Sequence, residues 1–63
     1  MGDRFQRYAA QRFTADDFDL LTDEEEQVLR MRRKHSPISV ATQLHMSVES
    51  VHRRQRSIMS KLG

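Results

Sequence analysis

Placed at 100° intervals around a helix, Glu49, Arg53, Arg56, Ser57 and Ser60 share one side, with Ser50 and His52 on its flanks. These side chains suit the edge of a base pair. An arginine fork matches guanine O6 and N7, a carboxylate accepts from the cytosine amine, and serine bonds bases or phosphates. The leading residues of a groove-reading helix enter deepest, which singles out Glu49, His52, Arg53 and Arg56 as base-edge candidates. Ser36, Ser47 and Ser50 stand near expected helix starts, where a hydroxyl and free backbone amides together favour phosphate. The predicted DNA-contacting set is therefore Ser36, Ser47, Glu49, Ser50, His52, Arg53, Arg56, Ser57 and Ser60. Two neighbouring cations read differently. Arg54 is flanking and equally suited to covering the core with its stem, and Lys61 suits a helix C-terminus as well as a phosphate.

Other chemistries find little footing. Gly2 and Gly63 are the only glycines, so no phosphate-cradling loop can form. The acids cluster at a helix start, where solvated capping carboxylates are expected, and His35, His45 and His52 lack the spacing to carboxylates that a zinc set needs. The expectation is a protein without catalytic activity, metal or cofactor. There is no cysteine to supply a disulfide or a thiolate site. Apolar runs extend two or three residues, far below the roughly 20 that cross a bilayer, and the N-terminus has no signal-peptide core. This predicts a cytoplasmic protein with no membrane partner.

Charge is sharply polarised along the chain. Residues 14–27 hold seven acids and no base, whereas residues 28–63 hold eight bases against the single acid Glu49. That asymmetry focuses positive potential on one part of a small surface and favours a polyanionic partner.

The elements that must position the stripe follow from caps and periodicity. Residues 4–12 read as a short amphipathic helix with Phe5, Tyr8, Ala9 and the stem of Arg12 on one face, closed by Phe13. Thr14 stands three residues before Asp17 as a cap for a turn holding Phe18, and Phe18, Leu20 and Leu21 are expected to anchor this connector. Thr22-Asp23-Glu24-Glu25 is a capping-box pattern, with Leu21, Glu25, Val28, Leu29 and Arg32 on the inner face of the helix that follows. Ser36-Pro37 opens another helix with Val40, Ala41 and Leu44 inward. His45-Met46 makes a turn, and Ser47 caps a last helix reaching Leu62, with Val51, Gln55, Ile58 and Leu62 inward. A chain of 63 residues hides only about 60% of its unfolded surface, so one thin core is expected. The predicted fold is an all-α small helical bundle with a helix-turn-helix over residues 37–62, three core helices plus an extra N-terminal helix. Residues 1–19 form the N-terminal helix and connector, and residues 20–63 the helix-turn-helix domain.

From Leu21 onward the chain resembles the LuxR/GerE-type DNA-binding domain of bacterial transcription regulators. The resemblance is carried by Leu21-Thr22, Glu25 with Val28-Leu29, Val40-Ala41 with Leu44, Met46-Ser47, Ser50-Val51, Ile58 and Lys61-Leu62. It implies sequence-specific DNA binding and transcription regulation, with the helix over residues 47–62 in the major groove of double-stranded DNA and Ser50, His52 and Arg53 in the contact region. The sequence departs from the family at His35, near the place of a usual glycine, and has no counterpart of the fourth, dimerising helix. A homodimer would therefore use a different interface. Region four of bacterial sigma factors is similar over the same residues. That likeness supplies the alternative of a protein-interaction module binding RNA polymerase or another regulator, with Phe5, Tyr8 and Phe13 as interface anchors.

Overall fold

The computed structural model describes residues 3–63, and within them the chain is an all-α bundle of five helices with no strand. These are α1 (Arg4–Ala9), α2 (Ala15–Asp19), α3 (Asp23–Arg32), α4 (Pro37–Gln43) and α5 (Val48–Leu62). Four helix starts are set by hydroxyl caps at the expected residues. The Thr14 and Thr22 side chains accept from the amides of Asp17 and Glu25, and those carboxylates accept in return from the Thr14 and Thr22 amides, closing two capping boxes. Ser36 and Ser47 accept from the amides of Ser39 and Ser50, with Pro37 beginning α4. Each such cap satisfies a donor the helix cannot, typically contributing about 1 kcal/mol.

The core is a single cluster of Phe5, Ala9, Val28, Leu29, Val40, Ala41, Val51 and Ile58. Burying an aliphatic side chain such as Leu29 or Ile58 contributes about 1.5–3 kcal/mol. α5 packs on both α3 and α4, and α1 packs on α3. The N-terminal helix thus shares the core with the rest. An aromatic series joins it to the connector: ring centroids lie 5.6 Å apart for Phe5 and Tyr8, 5.6 Å for Tyr8 and Phe13, and 6.2 Å for Phe13 and Phe18. Phe5 is buried, while Tyr8 and Phe13 are half-buried and pack against the core.

Three expectations are corrected. α1 ends at Ala9, not residue 12, because the chain turns at Ala10 and brings Phe13 back onto Tyr8; Arg12 is left exposed. The segment holding Phe18 is a helical turn and a half, not a simple turn. Leu20 is 57% exposed and anchors nothing, since two residues along a helix turn it about 200° from the inward Phe18.

Two polar centres hold the helices in register. The Arg32 side chain is 1% exposed and each of its three guanidinium nitrogens donates to a partner. Nε donates to Gln55 Oε1 at 2.7 Å, one terminal nitrogen donates to the His35 carbonyl at 2.6 Å, and the other bridges both oxygens of Asp3 at 2.5 and 2.6 Å. Asp3 also caps α1 through the Gln6 amide, and the bond from Arg32 is the main reason its carboxyl lies below the usual aspartate range. The turn between α3 and α4 closes over this guanidinium with no left-handed residue; among the described residues His45 is the only non-glycine with positive φ, at 55°. His45 lies just beyond the end of α4, where the Met46 amide reaches back to the Ala41 carbonyl at 2.9 Å. This six-to-one closure is the one normally built on glycine.

The second centre is Glu25, whose carboxylate is buried between α3 and α5. It accepts from its own cap amide on Thr22 at 2.8 Å, from Lys61 Nζ at 2.6 Å and from the Ser57 hydroxyl. Burial alone would raise its pKa; the bonds from Lys61, Ser57 and Thr22 and the Lys61 charge overcome that and hold it at about 2.

Candidate nucleic-acid interface

α5 has a strongly divided perimeter. Val51 and Ile58 are buried, and Gln55 is half-buried and tied to Arg32. On the opposite side Glu49, His52, Arg53, Arg56 and Ser60 are exposed. Glu49, His52, Arg53 and Arg56 line one shallow depression, so the four base-edge candidates are brought together. Among the described residues neither Arg53 nor Arg56 takes part in an ion pair. Their guanidinium groups are therefore presented with their donors open.

His52 is oriented from behind. Gln55 turns its oxygen to Arg32, which leaves its amide nitrogen facing outward, 3.5 Å from His52 Nδ1. The buried guanidinium thus fixes the amide that stands beside His52.

The serines divide. Ser60 is exposed on the stripe. Ser36 is exposed at the start of α4, its oxygen occupied by the Ser39 amide at 3.2 Å and its hydroxyl hydrogen free to donate. The Ser47 and Ser50 hydroxyls lie 3.0 Å apart, so one hydrogen is shared between them and the other remains available. Ser57 is the exception to the predicted stripe: it is half-buried and donates to Glu25, which places its hydroxyl on the α3 side of the helix. A helix position near the stripe's edge is captured by whichever neighbour offers a buried carboxylate, and here that neighbour is Glu25.

The flanking cations resolve in the same way. Arg54 pairs with Glu24 at 2.8 Å and Lys61 with Glu25, so both brace α5 against α3. Arg30 pairs with Glu26 at 3.0 Å and lies 4.5 Å over the Phe18 ring. The acidic first turn of α3 is consequently matched by three bases of the basic half. The field felt at α5 is correspondingly less acidic than the sequence run of acids suggests.

Sequence reasoning passed over Arg4. It is exposed and lines a second open groove with Phe5, Pro37, His52, Arg56 and Met59, which shares His52 and Arg56 with the first depression. No periodicity could have found it, because Arg4 and Arg56 meet only through the docking of α1. No helix among the described residues is long and apolar enough to cross a membrane. In comparisons with protein-family models, curated proteins and solved structures, the chain matches none of them.

Proposed function

We propose that this chain binds duplex DNA sequence-specifically and regulates transcription, with α4 and α5 forming a helix-turn-helix and α5 lying in the major groove. The observation that carries the reading is the unpaired state of Arg53 and Arg56 on the exposed face of α5, beside Glu49 and His52, while the other cations of the basic half that contact this helix are committed to acids. In this reading Arg53 and Arg56 fork onto guanine edges, Glu49 accepts from a cytosine amine, and His52 meets a base edge beside them. Ser36, Ser47 and Ser50 donate to phosphates at the two helix starts, and Ser60 extends the contact along the helix. Ser57 has no part in it. The resemblance of residues 21–62 to LuxR/GerE-type domains supports the same docking.

Fifteen residues give α5 a length of roughly 22 Å, enough to project several side chains into a groove about 12 Å wide. Titrating pooled duplex DNA at two salt concentrations tests the reading. Affinity is expected to fall by about 0.9 log unit per log unit of salt for each phosphate neutralised. Arg53→Ala is expected to flatten sequence preference, with a loss of about 1–3 kcal/mol on the preferred site. No binding at low salt would refute the proposal. It would favour instead a module docking on RNA polymerase or another regulator, the reading to which the exposure of Ile38 (67%) and Met59 (47%) lends itself.

A further inference from the structure

We infer that Arg4, on the N-terminal helix, is a phosphate contact that extends the DNA interface beyond α4 and α5. The inference rests on the DNA-binding reading above and adds a residue and an element to it. The two grooves beside α5 share His52 and Arg56, so their linings form one continuous surface running from Glu49 and Arg53, past Arg56, to Arg4. Arg4 and Arg56 thus line the same groove.

The local electrostatics permit this. Asp3 stands beside Arg4 and would otherwise be its natural partner, but both Asp3 oxygens accept from Arg32 and one also accepts from the Gln6 amide. Among the described residues Arg4 has no ion pair. The buried Arg32 therefore consumes the one acid that lines the groove and leaves an unbalanced guanidinium at its rim. Of the other side chains that line the groove, Gln55 turns its oxygen to Arg32, and Phe5, Pro37 and Met59 bring no charged acceptor. Placement is rigid as well, because Phe5, the next residue, is a member of the core.

A contact to phosphate carries no sequence information, which separates Arg4 from the readers on α5. The test uses the full chain and pooled duplex DNA, with a preferred site selected from the pool as second probe. Arg4→Ala is expected to lower the slope of log affinity against log salt by about 0.9, to weaken both probes by the same factor, and to leave the thermal midpoint unchanged. Arg12→Ala removes a charge from the same segment away from either groove and is expected to keep the wild-type slope. An unchanged slope in Arg4→Ala, with wild-type binding intact, overturns this inference and leaves the DNA reading standing; so does an equal drop in Arg12→Ala, which would mark a net-charge effect. Wild-type protein that fails to bind at low salt overturns both.

Discussion

Removing the Glu25 charge should both destabilise the protein and abolish a defined part of its acid sensitivity. The carboxylate is held at about 2 from an ordinary 4.5, a difference of roughly 2.5 units at 1.36 kcal/mol each, which sets a ceiling of about 3 kcal/mol. Lys61, one of its partners, is 38% exposed, and solvent screening brings the expected contribution to about 2 kcal/mol. Because the folded pKa is the lower one, this stability is fully present above about pH 4.5, where the unfolded chain is also ionised. It is lost as pH falls from there towards about 2, with roughly three fifths gone by pH 3. Glu25→Gln should therefore melt well below wild type at pH 7, by about 8–16 °C at 4–8 °C per kcal/mol for a domain this small. The gap should narrow steadily in melts between pH 5 and pH 3. A gap that stays constant across that range would show that the Lys61 and Ser57 bonds do not discriminate the charged carboxylate, and the account of this centre would fail.

Arg32→Ala empties a buried site and leaves the partly exposed Asp3 carboxylate, the Gln55 oxygen and the His35 carbonyl without their donor, and should cost about 2–3 kcal/mol, read as a large drop in the thermal midpoint by circular dichroism. Arg32→Met combined with Asp3→Asn should recover part of that loss, since it removes the unpaired carboxylate while the Gln55 oxygen and the His35 carbonyl stay without their donor; equal instability of single and double variants would refute it. His45→Gly should raise the thermal midpoint by several degrees, worth about 1 kcal/mol, because the left-handed φ of 55° penalises any Cβ; an unchanged or lower midpoint would mean the imidazole makes a compensating contact.

Much of the fold was written locally. Thr14, Thr22, Ser36 and Ser47 announce four helix starts because a cap involves only residues within one turn of each other. The inner faces of α3, α4 and α5 were legible by period, down to the charged residues Glu25 and Arg32. Long-range pairing was not legible. Nothing in the spacing of Asp3 indicates that it meets Arg32, and Ser57 reads as outward until the depth of Glu25 between two helices is known. The end of α1 was missed for a related reason: its face continues through Phe13 on paper, but stacking on Tyr8 and Phe18 competes better than another helical turn.

The same distinction explains why charge counted along the sequence misstates the surface. Of the eight bases between Arg30 and Lys61, four are committed to acids: Arg30 to Glu26, Arg32 to Asp3, Arg54 to Glu24 and Lys61 to Glu25. Three of those acids come from the first turn of α3, where the macrodipole already favours negative charge, so capping and cross-helix pairing draw on the same residues. Pairing cancels acid and base together and leaves the net charge alone. What changes is location. Arg33 and Lys34 remain at the end of α3, and Arg53 and Arg56 remain on the outer face of α5, joined there by Arg4. An acidic run that looks repulsive to a polyanion thus becomes the means by which a helix is braced from behind, while Arg53 and Arg56 on its front stay outside every ion pair among the described residues. Val51 and Ile58 hold α5 in the core, and the ion pairs on its α3 side add to that hold while deciding which of its cations are left on the outer face.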